Sequence, residues 1–408
     1  MKNSLKKDIY WNTIGVTLNS FTSLFFLIII NRINGANIGG VFSFSYSVAC
    51  LLFIIGVYAT RTYQVADIDH KLNDSEYLFH KGITCFIMLT AGVFYSLMMD
   101  VSLKKYAILT LTLFKIVEAF SDTLYGFMQK KDNLYLVGIS LTIKSILSVL
   151  CFFVIDYITN NIIISSIGMV LISLLFTCVF DIYYSKKYIT NEKVRFNKLI
   201  LLFKDGFPIF IISFLSVYIV NASKYTMNGI LSDVSQTIFG IIIMPATVIS
   251  LCGQYIMNPM LNDLVYSFKN KRYNMFKSKV YSIIKILLFF WALAELLAFL
   301  FGIPVLNLLY AVDISKYKYD LLLIIFGAVF YASSIIFQNC LIVMHRNKKQ
   351  IIIYMISSLI ALTSSTFFIP KFAIHGATTA YFLTMFIHCI MYFTYFKYEM
   401  NIIQKRGN

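Results

Sequence analysis

The chain has 408 residues, 59% of them hydrophobic and 13% charged, with a formal charge of +16; an ordinary soluble domain carries roughly 25% charged residues. Apolar stretches recur from end to end and no polar segment is large enough for a soluble domain, which marks an integral membrane protein. The basic excess could suggest nucleic acid, but in a membrane protein the placement of positive charge matters more than its sum, and no nucleic-acid partner is expected. The seven cysteines are scattered without a CxxC pair, which argues against a disulfide framework or a thiolate metal site.

About 20 apolar residues cross a bilayer as an α-helix. The runs at about residues 10–30, 40–60, 82–99, 106–127, 134–155, 162–184, 206–222, 236–258, 282–302, 321–344, 351–369 and 377–396 predict an all-α protein with twelve spans. The first run is too long for a signal-peptide core and lacks a small-residue cleavage site, so it is predicted to be retained. It aligns Asn12, Asn19 and Ser23. Span 2 ends in VYATRTYQ, with Arg61 at the inner boundary. Span 5 carries Lys144 between Ser140 and Ser148 on one face. Asp181 and Lys285 lie near span ends and are expected to be interfacial. Pro245 is expected to kink span 8, which also carries Gln254 and Asn258; span 9 carries Glu295. Among the histidines only His388 falls inside a span, where packing is the expected role.

With the N-terminus inside, 25 of the 35 Lys and Arg residues, Lys81 among them, fall on the cytoplasmic side. Seven, including Arg32 and Lys224, fall on the other, and Lys115, Lys144 and Lys285 lie within or at the edge of spans. That asymmetry across short loops predicts both termini in the cytoplasm. The inner loop at about 185–205 separates six spans from six, giving an N-terminal lobe (1–200, spans 1 to 6) and a C-terminal lobe (201–408, spans 7 to 12). Because six is even, both halves enter the membrane in one direction, which suggests a parallel repeat. NRINGANIGGVFSF and KYTMNGILSDVSQTIFG echo each other in this sense, each with a cation (Arg32, Lys224) before an Asn-Gly turn.

Span 4 is the unusual one. At 100° per residue Lys115, Glu118, Asp122, Tyr125 and Gln129 share one narrow stripe. Each charge facing lipid near the bilayer centre would cost about 2.5 to 3.5 kcal/mol, so the stripe is expected to face other helices or water. Glu118 is in reach of Lys115 and also approaches Asp122, and two such close carboxylates would leave one able to take up a proton. The polar faces of spans 1, 2, 5, 8 and 9 imply a shared hydrophilic cavity. No GxxxxGK[ST], HExxH or His/Cys/carboxylate cluster is present, GANIGG has the wrong spacing for a dinucleotide turn, and no extracytoplasmic loop could hold a polymerase active site. No catalytic residue, cofactor or metal is therefore expected.

The order Glu118, Ser121, Asp122, Tyr125, Gly126, Gln129, Lys130, Lys131, followed by Gly138-Ile139-Ser140 and Lys144, resembles the span 4 to span 5 region of Wzx-type lipid-linked oligosaccharide flippases, in the polysaccharide transport branch of the MATE-like MOP exporter superfamily. DGFPIF (205–210), GIPVLNLLYA (302–311) and HGATTAYFLT (375–384) are also similar, so the resemblance covers nearly the whole chain. It implies two six-helix lobes, alternating access, and an undecaprenyl-diphosphate oligosaccharide as cargo for O-antigen or capsule assembly in the bacterial cytoplasmic membrane. It further implies membrane lipids, a polysaccharide polymerase and a chain-length regulator as partners. The matching cations are Arg32, Arg61, Lys115, Lys144 and Lys224, with Tyr125 and Gln129 suited to the diphosphate and sugar and Glu118, Asp122 and Glu295 to ion coupling. The chain departs from the family in relying on lysine where arginine is usual. Two other readings compete: a multidrug exporter of the same fold, whose cationic cargo calls for a net acidic cavity, and a membrane-embedded polyprenyl-phosphate glycosyltransferase or polymerase.

Overall fold

The computed structural model describes residues 2–67, 71–190, 192–346 and 349–407; Lys348, one of the inner cations counted above, lies outside them. The elements are α1 (Lys2–Ile33), α2 (Ala36–Val57), α3 (Thr60–Ala66), α4 (Asp74–Leu97), α5 (Ser102–Lys130), α6 (Leu134–Thr159), α7 (Ile162–Phe176), α8 (Tyr183–Lys186), α9 (Phe196–Met227), α10 (Asp233–Ile242), α11 (Met244–Lys269), α12 (Tyr273–Leu297), α13 (Ile303–Tyr310), α14 (Lys318–Val343) and α15 (Gln350–Gly407). Among the described residues ten helical stretches are long and apolar enough to cross a membrane. One of them, α15, contains a break at Ala373 (φ 50°, ψ −124°) and so supplies two crossings. A further membrane-length helix, α5, carries the polar stripe and stands outside those ten. Twelve crossings result, in a multi-pass membrane protein. Large apolar side chains such as Leu171, Phe289 and Leu308 are exposed on its surface, which hydrocarbon tolerates and water would not.

The chain divides into two compact units, Met1–Val217 and Tyr218–Asn408, with the division inside α9. In the first, α1 lies along α6, α2 along α5, and α7 against both α5 and α6. Phe26, Phe42, Phe114 and Phe152, all nearly fully buried, form its aromatic centre, with Phe26 and Phe152 centroids 5.1 Å apart. In the second, α14 packs on α11, α12 and α15. Pro245 falls in the first turn of α11, just after α10 ends at Ile242, where its missing N–H is tolerated. The two Asn-Gly turns share a backbone: Gly35 and Gly229 have φ of 82° and 83°.

Helix boundaries move three residues relative to the hydropathy reading. Asn73 caps α4 through a reciprocal bond pair with Glu76, so the helix starts well before the apolar run and takes in His80 and Lys81. Both are fully buried: Lys81 is not an inner-loop cation, and His388 is not alone among histidines inside a span. Asp181, near the end of its span, is shielded by the protein itself. A π-helical turn, Thr177–Ile182, carries α7 onward into α8 and leaves Asp181 fully buried inside the unit.

Candidate functional site

The site of the first unit starts from a break in span 2. Helix α2 stops at Val57 because Tyr58 and Ala59 both adopt left-handed backbone, φ 40° and 55°, at a cost of about 1 kcal/mol or more each for non-glycine residues. The break leaves backbone carbonyls without helical partners, which hydrocarbon does not tolerate unless protein satisfies them. The buried Lys81 ammonium donates to Gly56 O at 2.6 Å and Val57 O at 3.1 Å, and Thr84 Oγ1 donates to Gly56 O at 2.9 Å. The Tyr58 ring stacks on Phe210 at 4.6 Å. Beyond the break, Asp67 ends α3 and accepts from the backbone N–H groups of Lys71 and Leu72 and from Tyr77. Burial alone would raise its pKa, but these donors and nearby Lys130 hold the carboxyl below the usual range.

The redirected α3 lies on α5 and brings Arg61 to the polar stripe. A Cβ on Gly126 would overlap the amide of the buried Gln64, so glycine there leaves room for that side chain where α3 meets α5. Arg61 donates to Gln129 Oε1 from Nε (3.0 Å) and Nη2 (2.7 Å), and to Asp122 Oδ1 from Nη1 (3.2 Å). Its side chain keeps 25% of its surface exposed. Lys115 donates to Glu118 Oε2 at 2.6 Å and sits 4.9 Å from the Tyr46 ring centroid. Lys144 Nζ lies within hydrogen-bond distance of four oxygens: Asp181 Oδ2 (2.6 Å), Ser121 Oγ (2.8 Å), Thr177 Oγ1 (2.9 Å) and Tyr125 Oη (3.2 Å). Ser140 ties this cluster together by donating to Asp181 and bonding Tyr125 Oη at 2.9 Å. Asn19, Arg61, Glu118, Asp122, Tyr125 and Lys144 line a cavity of about 170 Å³, with Phe53 and Leu141.

Two sequence expectations change here. Glu118 and Asp122 are each held by a different cation, Lys115 from the same helix and Arg61 from α3, and are not seen bonded to one another. The cluster is also not net basic, since three cations are matched by three carboxylates. The contrast with a net acidic multidrug cavity therefore loses its force.

No family model matches the sequence. The capsular polysaccharide biosynthesis protein CapF of Staphylococcus aureus is 25% identical over 299 residues, 71% of this chain and 74% of that protein. Among solved structures, the lipid II flippase MurJ in an inward closed conformation superposes with a TM-score of 0.76 at 14% identity, covering 97% of this chain and 90% of MurJ. An inward-facing multidrug resistance MATE transporter of the MOP superfamily gives 0.71 at 13% identity, with 98% and 100% covered. The chain shares the fold of these two proteins.

Within this fold the sequence-predicted residues divide. Arg61, Lys115, Tyr125, Gln129, Lys144, Glu118 and Asp122 come together in the first unit. Arg32 is exposed at the end of α1. Lys224 is buried near the end of α9, where its carbonyl accepts from Gln236, and Glu295 lies on α12 one turn from Trp291; both belong to the second unit. Sequence reasoning missed Asp181, Thr177 and Lys81. A polar residue every fourth position, Ser173, Thr177, Asp181 and Ser185, was the available signal for the first two. Lys81 carried none, because hydropathy places it before the span.

Proposed function

We propose that this protein is a secondary transporter that flips undecaprenyl-diphosphate-linked oligosaccharide repeat units across the bacterial cytoplasmic membrane for capsule or O-antigen assembly. It works by alternating access coupled to protons or other cations, with both termini in the cytoplasm. The reading is supported by likeness to a capsular polysaccharide biosynthesis protein across most of both chains, and by a transporter fold in place of an enzyme fold. The observation that carries it at the site is Arg61, a partly exposed guanidinium on the wall of an intramembrane cavity. It uses three of its five N–H donors, and its planar fork suits a diphosphate. Lys144, by contrast, has more acceptors than protons to give them and is fitted to hold α5, α6 and the π turn together.

Charge balance suggests how binding and coupling are joined. An anionic headgroup can take Arg61 only by competing with Asp122. A coupling cation that takes Asp122 releases the guanidinium, and an anion that takes the guanidinium releases Asp122 in return. Lys115 and Glu118 repeat the arrangement one turn away, and Tyr125 and Gln129 offer polar contacts for sugar. In a strain lacking the native gene, wild type is expected to restore surface polysaccharide. Arg61→Ala and Asp122→Asn, at equal expression, are expected to lower it about tenfold or more, the equivalent of 1.4 kcal/mol. Full restoration by both variants would overturn the site assignment.

A further inference from the structure

A second void lies on α1 and α6, two of the helices that also line the polar cavity. Helices α1 and α6 touch backbone to backbone at Gly15 and Gly138, where an added Cβ on Gly138 would lie 2.2 Å from the Trp11 carbonyl carbon. They pack again where Phe26 meets Phe152. A groove of about 230 Å³ opens on this pair, lined by Leu18, Phe25, Ile146, Val149 and Leu150, with Ser145 at its inner wall. Ile146 and Leu150 are 45% and 53% exposed, so the groove is open to the surrounding hydrocarbon. Consecutive residues serve the two voids: Leu18 lines the groove and Asn19 the cavity, Ser145 the groove and Lys144 the cavity. Ser145 Oγ bonds Asn19 Oδ1 at 3.4 Å, near the outer limit for a hydrogen bond, across the boundary.

We propose that this groove seats the hydrocarbon chain of the lipid whose anionic headgroup is bound at Arg61, and that the Asn19–Ser145 pair is the gate between chain and headgroup. The inference rests on the flippase reading and commits to one occupant, the isoprenoid chain of a polyprenyl diphosphate. An apolar slot that adjoins a cavity carrying a guanidinium, with the Asn19–Ser145 contact between them, matches an amphiphile with an anionic head. A single slot between two helices takes one chain, whereas a phospholipid brings two.

The test places the photoreactive p-benzoylphenylalanine at Ile146 in the full chain, and at Leu171 on α7 as the control. The protein is held in nanodiscs of phosphatidylglycerol and phosphatidylethanolamine containing a minor fraction of undecaprenyl diphosphate. Adducts are identified by mass. Polyprenyl adducts at Ile146 are expected to be enriched about tenfold over those at Leu171, and to fall with Arg61→Gln. Adducts at Ile146 in the bulk lipid ratio, phospholipid predominating, would overturn the proposal. Val149→Trp, which fills the groove, is expected to lose polysaccharide restoration while Leu171→Trp keeps it; restoration by both counts against the groove. If wild type restores polysaccharide but the adducts follow bulk lipid, the groove fails and the flippase reading stands. If deletion of the gene leaves surface polysaccharide intact, the flippase reading itself fails.

Discussion

Lys144 and Asp181 show what a charge pair means when neither partner reaches water. Their side chains are 7% and 0% exposed, and the ammonium lies within hydrogen-bond distance of four protein oxygens. Removing one partner of such a pair strands the other charge at a cost on the order of 3 kcal/mol, whereas removing both relieves much of that cost. Asp181→Asn is therefore expected to lower the thermal unfolding temperature in detergent markedly. Lys144→Met combined with Asp181→Leu should be less destabilised than the two single effects added. Strict additivity would mean the pair is not coupled. Arg61 and Asp122, at 25% and 20% exposure, differ in kind. Arg61→Lys keeps the charge but loses the planar fork, so stability should change little while polysaccharide restoration falls.

The decisive element is the interrupted span 2. Two left-handed residues persist at Tyr58 and Ala59 because Lys81, Thr84 and the Tyr58–Phe210 stack hold the ends that the break exposes. The break turns α3 so that Arg61 meets α5. Gly126 is the contact that allows it, since any side chain there would enter Gln64. Gly126→Leu is expected to displace α3 and weaken the Arg61–Asp122 contact while the remainder of α5 stays helical. The displacement is expected to show as lost polysaccharide restoration that Gln64→Ala, which clears the space, partly recovers in the Gly126→Leu background. Full restoration by Gly126→Leu alone would show that close approach is not required. This also explains why the 121–129 stretch reads as a motif. Ser121 meets Lys144, Asp122 and Gln129 meet Arg61, Tyr125 meets Ser140, and Gly126 admits Gln64.

For the whole molecule, orientation and cargo are the quantities to measure. The basic asymmetry predicts that a fluorescent protein fused after Asn408 is bright and that alkaline phosphatase fused there is inactive; the reverse pattern would invert the topology. The solved structures that share this fold include a multidrug resistance transporter and a lipid II flippase. Deletion is therefore expected to abolish surface polysaccharide and leave drug sensitivity unchanged. Heightened drug sensitivity with normal polysaccharide would favour the multidrug reading.

Hydropathy and helical periodicity were enough, from the sequence alone, to give the all-helical membrane class, the twelve crossings and the shared stripe of Lys115, Glu118, Asp122, Tyr125 and Gln129. Each of these follows from spacing along one helix. Which carboxylate each cation meets is a matter of distance between helices, and only the tertiary structure decided it. Asp181 became the partner of Lys144 through a π turn, Arg61 reached Asp122 through a broken span, and Lys81 entered the interior through an early cap. A four-residue polar period marks Asp181 and a local Asn73–Glu76 cap marks the start of α4, but neither says which helix lies opposite. The break at Tyr58 and Ala59 is stable only because residues distant in sequence supply the missing hydrogen bonds.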